Sequence, residues 1–150
     1  MNSFGKARLL AVLVPAALLG GAYIAQYGFG LPPCEMCWWQ RYPHFAALGI
    51  AGLAFVIQPA RVWTALAGLA IITSGLIGGF HAGVEYGWWE GITGCSTLPS
   101  SVDVMNISAA PLIRCDVAPW TLFGISLAGF NFLISCTAGA AIVALAAYRR

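Results

Sequence analysis

Residues 9–29 read LLAVLVPAALLGGAYIAQYGF, a run without one charged side chain. A helix crossing ~30 Å of hydrocarbon needs about 20 mostly apolar residues, so this stretch is long enough to span a bilayer. Working outward, Val62 to Val84 is interrupted only by His81, and Val117 to Tyr148 carries no charge and exceeds one span, so its ends are expected in the interface. The second stretch is less regular: Phe45 to Ile57 is clean but short, and span length is reached only by taking in Gln40, Arg41 and His44 near a membrane surface. Composition agrees, because 60% apolar against 8% charged residues departs from the soluble average of roughly a quarter charged. Eighteen glycines suit helices that approach closely in lipid. A net charge of +2 without a Lys/Arg run argues against nucleic acid as a partner.

Orientation follows from the basic residues. Lys6 and Arg8 precede the first stretch, Arg61 sits between the second and third, and Arg149 and Arg150 follow the last. Four crossings put all five on one side, which the positive-inside rule makes cytoplasmic. The other side receives Arg41 and Arg114 with every acidic residue: Glu35, Glu85, Glu90, Asp103 and Asp116. The expected fold is all-α, an integral membrane antiparallel four-helix bundle. It forms one domain over 1–150, with spans near 9–29, 40–57, 62–84 and 119–147 and outer loops near 30–39 and 85–118. A cleaved signal peptide fits the first run less well, since the run is long for a signal core and cleavage would leave an odd number of spans. No internal repeat or separate soluble domain is visible.

Under this topology Cys34 and Cys37 share the first outer loop, Cys95 and Cys115 the second, and Cys136 lies inside the fourth span. Disulfides are expected in an oxidising outer space, and four cysteines permit three pairings. Cys34-Glu35-Met36-Cys37 would close too small a loop to stabilise much, so its bond is read as reactive. A zinc site would need two more ligands, available only from Cys95 and Cys115, and no metal site is expected. Trp38 after the second cysteine excludes c-type haem attachment. Two ordinary stabilising disulfides remain an alternative.

Pro32-Pro33 ends the first helix, so the second starts near Cys34 to Cys37 and puts a thiol where a helix N-terminus favours negative charge. Arg41, four residues after Cys37, shares its helical face and can stabilise a Cys37 thiolate or an anionic acceptor. The bland alternative is an arginine snorkelling to headgroups. Two electrons leaving the thiols need an acceptor. With no flavin, nucleotide or haem motif, a quinone against Trp38, Trp39 and Arg41 is the expectation. Trp38, Trp39, Trp88 and Trp89 also suit an ordinary interfacial aromatic belt.

These features together resemble the DsbB family of bacterial quinone-dependent disulfide-forming membrane proteins: four spans, Pro-Cys-Glu-Met-Cys followed by Gln40-Arg41, two cysteines in the second loop, and Cys115-Asp116 shortly before the last helix. The resemblance implies a bacterial inner-membrane enzyme with cytoplasmic termini, periplasmic loops, a quinone cofactor (ubiquinone or menaquinone) and a periplasmic DsbA-like thiol–disulfide oxidoreductase as partner. It implies catalytic roles for Cys34, Cys37, Cys95 and Cys115: the reduced partner attacks Cys95 of a Cys95–Cys115 disulfide, and the freed Cys115 attacks Cys34, leaving Cys37 facing the quinone. It also places His81 near a family position associated with quinone binding, beside Arg41 and Trp38.

His44 shares the face of Arg41 and Cys37, but the resemblance assigns it nothing. Cys136 is expected to be an inert packing residue. Val102, Met105 and Ile107 suggest a short interfacial helix. Ile92, Thr93, Gly94, Ser96 and Thr97 form a strip around Cys95 that suits docking in a partner's groove. An oxidase dedicated to one partner, or a non-catalytic membrane protein with stapled outer loops, are the competing readings.

Overall fold

The computed structural model describes residues 2–94 and 113–148. Helix α1, Ser3–Tyr23, runs into one turn of π-helix at Ile24–Gly28, followed by α2, Glu35–Val56, and α3, Ala60–Glu85. Strands β1, Thr121–Leu122, and β2, Ile125–Ser126, then lead into α4, Leu127–Ala147. Three of these helices are long and apolar enough to cross a membrane: α1 with its π turn, α3 and α4. The chain is a mostly helical membrane protein with a fourth helix, α2, beside them. Helix α2 is less apolar because Gln40, Arg41 and His44 occupy its first half, and all three are buried inside the protein. Together they form an inward-facing polar cluster.

Side-chain size is sorted in the manner of a protein in lipid. The interior is built from small residues such as Ala11, Ala47, Ala51 and Ala67, with Ile71 and Ile142 at its centre. Leu13, Leu69, Leu76 and Leu133 point outward. Lipid tails are as apolar as leucine, so helices gain from close backbone approach rather than from hiding large side chains. Helix α3 packs mainly on α4 and α2, and α1 lies against α2 and α4. Gly68 and Gly139 set the α3–α4 spacing: a Cβ on Gly139 would lie 2.8 Å from the Gly68 carbonyl oxygen and 3.2 Å from the Ile72 nitrogen.

At the end where α3 begins, Arg61 Nη1 donates to the carbonyls of Ala146 and Tyr148 at 2.8 and 2.9 Å, closing the C-terminus of α4. Its guanidinium lies 4.8 Å from the Phe4 ring, and that of Arg8 lies 3.9 Å from the Phe55 ring. Arg8 and Arg61, read as belonging to one side, thus share one end of the molecule. At the other end, the stretch expected to be helical from residue 119 becomes helix only at Leu127. Phe123 and Gly124, with φ of 53° and 78°, form a tight turn that pairs Thr121 with Ser126 and Leu122 with Ile125. The Ser126 hydroxyl then caps α4 by accepting from the Gly129 N–H at 3.1 Å. The suggested interfacial helix around Val102, Met105 and Ile107 lies outside the described residues, as do Cys95, Ser96 and Thr97. Of the rest of the docking strip, Ile92 and Gly94 are exposed and Thr93 is buried.

Gly139→Val should lower stability by about 1–3 kcal/mol, the usual consequence of overpacking against backbone. Gly49→Ala, where an added Cβ meets nothing within 4 Å, should be neutral or mildly stabilising. Thermal unfolding of the detergent-solubilised chain, followed by circular dichroism, checks the contrast.

Candidate functional site

Helix α2 starts at Glu35, and Cys34 is its cap. The Cys34 sulfur accepts from the Cys37 N–H at 3.3 Å, and its thiol donates to Cys37 Sγ at 3.1 Å. Both are free thiols. This one-way arrangement divides the charge between them. The hydrogen bond from Cys34 favours the Cys37 thiolate and outweighs burial and the nearby Glu85, with Arg41 adding a smaller favourable contribution. The same bond, with burial, pushes the Cys34 thiol up. The sequence credited Arg41 with holding the thiolate, but the first-turn geometry gives Cys34 the larger part.

Cys115 is disulfide-bonded and fully buried. It packs with Cys34, Met36 and Val84, and Cys37 and Phe80 lie against that cluster. The Thr93 hydroxyl donates to its sulfur at 3.5 Å. Residues from two separate interhelical connections therefore meet around Cys34. Cys136 is a free thiol in α4, seated over Gly75 where an added Cβ would lie 2.7 Å from its sulfur.

A chain of buried polar side chains runs inward from the thiols. The Gln40 Nε2 lies 2.9 Å from His81 Nδ1 and donates to the Met36 carbonyl at 3.2 Å. Asn131 Nδ2 donates to Gln40 Oε1 at 2.9 Å and to the Ser74 carbonyl at 3.1 Å. Asn131 Oδ1 accepts from the Ser135 hydroxyl at 2.7 Å and lies 3.1 Å from His44 Nε2. A carbonyl only accepts, so Met36 and Ser74 fix which end of each amide faces them. It follows that His81 Nδ1 accepts, His81 Nε2 carries the proton, and His44 Nε2 donates. His81 Nε2 lies 3.6 Å from Cys34 Sγ and 3.7 Å from Glu85 Oε1. Cys34 Sγ, Cys37 Sγ and that nitrogen lie within 4.8 Å of one another, a spacing that also suits a metal ion. The protonated nitrogen, however, offers hydrogen rather than a lone pair.

Beside the chain lies a cavity of about 240 Å³ walled by Cys37, Gln40, Arg41, His44, His81, Glu85 and Asn131, with apolar sides from Leu18, Ala22, Leu127 and Phe130. Arg41 is 6% exposed, which excludes snorkelling. Its Nη1 donates to Gln26 Oε1 at 2.7 Å in the π turn, and its Nη2 donates to the Ala22 carbonyl at 3.3 Å. Trp38 does not line this cavity; its ring sits 4.9 Å from the Arg41 guanidinium, as does that of Tyr23. Among the residues expected to touch a cofactor, Arg41 and His81 reach the cavity and Trp38 packs against Arg41. A second cavity of about 220 Å³ shares Cys37, His81 and Glu85 with the first and adds Cys34, Ile113 and Arg114.

Gln40, Asn131 and Glu85 were not singled out from the sequence as site residues. Asn131 had a signal, as the lone amide in the run 127–147. Glu85 had one in its four-residue spacing from His81, but it was counted only for topology. Two atoms among these residues are buried without a partner, His44 Nδ1 and Glu85 Oε2.

The helices and the dithiol together define a class, membrane proteins that exchange thiols and disulfides. Compared with known families, residues 5–146 match Disulfide bond formation protein DsbB, and the chain belongs to that family. The family implies disulfide oxidoreductase activity. The chain is 29% identical over 150 residues to Disulfide bond formation protein B of Verminephrobacter eiseniae, covering 93% of this chain and 83% of that one. It is also 29% identical to the protein of the same description in Polaromonas sp., covering 92% and 88%. It is 26% identical over 135 residues to an uncharacterized protein of Rickettsia prowazekii, covering 85% and 78%. No solved structure matches the chain.

Cys34→Ala removes the thiol donor, so the Cys37 pKa should rise and its alkylation by iodoacetamide at a fixed, mildly alkaline pH should slow. Cys34→Ser keeps both a donor and a helix cap and should stay near wild type. Alkylation rate against pH in the reduced chain, read by mass spectrometry at Cys37, checks both.

Proposed function

We propose that the chain reoxidises a periplasmic DsbA-like thiol oxidase and passes the electrons to a membrane quinone. It does so as a four-span antiparallel protein of the bacterial inner membrane, with both termini cytoplasmic and the loops 30–39 and 85–118 periplasmic. The observation that carries the reading is the position of Cys37: the sulfur favoured as thiolate lines a half-open cavity with Arg41, while Cys34 packs against disulfide-bonded Cys115. The shared end of Arg8 and Arg61 supports the orientation.

In this reading Cys115 pairs with Cys95, since Cys34, Cys37 and Cys136 are free. A thiolate of the reduced partner attacks Cys95 and releases Cys115, which attacks Cys34 of the oxidised Cys34–Cys37 bond and leaves Cys37 as thiolate. The partner's second thiol then resolves the mixed disulfide and leaves oxidised. Cys95 recloses on Cys115, and both electrons now sit on Cys34 and Cys37. Two free thiols beside a disulfide at Cys115 match that stage.

The residues around the cavity fit a quinone. Its walls are largely apolar, Arg41 retains donors beyond the two it spends on Gln26 and Ala22, and His44 Nδ1 is buried without a partner. A bound quinone supplies an acceptor for two electrons and two protons. Arg41 provides a fixed cation in a low-dielectric setting, beside the oxygen on which charge develops.

Two outcomes test the reading. Cys95→Ser with Cys115→Ser should abolish oxidation of a reduced DsbA-like partner, while a small dithiol still drives quinone reduction through Cys34 and Cys37; full partner oxidation by the double variant sinks the relay. Arg41→Met should slow quinone reduction by roughly 100-fold, the scale of losing a preorganised donor. Trapping of the partner's mixed disulfide with Cys95 should survive in that variant. Arg41→Lys should recover only part of the rate, because an ammonium cannot reproduce the planar fork. Quinone reduction rate as a function of quinone concentration makes the measurement.

A further inference from the structure

His44 is 3% exposed and its Nδ1 has no hydrogen-bond partner, yet the ring lines the 240 Å³ cavity. Its proton position is fixed from the other side. Asn131 Nδ2 is committed to the Ser74 carbonyl and to Gln40 Oε1, so Asn131 presents only its oxygen to His44. Nε2 therefore carries the hydrogen of the neutral ring, and Nδ1 is left as a lone pair without a donor. Arg41, on the same cavity, offers only donors.

We propose that His44 is a binding residue for the reduced acceptor, its Nδ1 accepting a hydrogen bond from a hydroxyl of a quinol, with Asn131 as the residue that positions it. The assignment rests on the quinone reading above. A quinone carries two carbonyl oxygens, which only accept, so its oxygen has nothing to offer the His44 lone pair and is served by Arg41. Reduction by two electrons and two protons turns each carbonyl into a hydroxyl, and a hydroxyl has the hydrogen that Nδ1 lacks. The cavity thus holds a donor group for the oxidised form and an acceptor for the reduced form. His44 should favour quinol over quinone by about tenfold, the scale of satisfying one buried polar atom.

The experiment uses the full chain in detergent with Cys34→Ser and Cys37→Ser, so that no electrons exchange with the ligand, and a short-chain ubiquinone and its quinol as probes. In that background His44→Ala should weaken quinol binding about tenfold or more and leave quinone binding within a factor of about three. Asn131→Leu should give a smaller loss of the same selectivity by freeing the ring. Nitrogen-15 NMR of the unsubstituted His44 ring needs no folded variant: the Nε2–H form is expected, and Asn131→Leu should mix in the Nδ1–H form. An Nδ1–H ring in the protein with native His44, or equal losses for quinol and quinone in His44→Ala, overturns the assignment while leaving the quinone reading in place. Binding of neither probe before any change at His44 overturns the proposed acceptor and the His44 assignment with it.

Discussion

Two backbone carbonyls, those of Met36 and Ser74, set the direction of the buried polar chain that links His81 to His44. Each accepts from a side-chain amide, Gln40 or Asn131, and so turns that amide's oxygen away from itself. From there the orientation propagates without choice, to the acceptor role of His81 Nδ1 and the donor role of His44 Nε2. Among apolar helices a buried polar group without a partner costs about 1–3 kcal/mol, so reversing one amide would unpair several groups at once. The chain therefore acts as a unit that holds two imidazoles in defined states at two places, one facing the thiols and one facing the cavity.

That unit exists because the helices around it approach closely. Gly78 of α3 faces the junction: a Cβ there would lie 3.0 Å from both Gln40 Oε1 and Asn131 Nδ2 and 2.9 Å from the Ala128 carbonyl. The same economy operates lower in the molecule at Gly68 and Gly139. Small residues along α3 thus serve packing at one level and the polar chain at another. Large aliphatic side chains, which a soluble core would use, are displaced to the outside where lipid covers them.

Much of this was legible in the sequence. Uncharged length marked α1, α3 and α4, the proline pair marked the start of α2, and four-residue spacing put Arg41 on the face of Cys37. Arg41 was marked by the cost of an arginine at the edge of a span and His81 by the family resemblance, and both line the cavity. What the sequence withheld depends on distances between helices. Nothing local announces that Asn131 meets Gln40, 91 residues away, or that Cys115 packs on Cys34. The helical run to 119 was overread because Trp120 to Ile125 is apolar, and apolarity does not separate a short hairpin from a helix; the turn at Phe123–Gly124 did. The side to which Trp38 turns was equally hidden, since an aromatic next to a reactive cysteine reads the same whether it faces a cavity or a neighbouring arginine.

The two cavities share part of their wall around the dithiol. Cys37, His81 and Glu85 belong to both walls, while Arg41 and His44 face only the inner space and Cys34, Ile113 and Arg114 only the outer one. On the function proposed above, a protein thiol would meet Cys34 on the wall of the second cavity and an acceptor would meet Cys37 on the wall of the first. Arg41 is kept on the inner side by its bonds to Gln26 and Ala22 of the first helical segment rather than by the thiols. Its charge is therefore placed by the first helical segment and not by the dithiol.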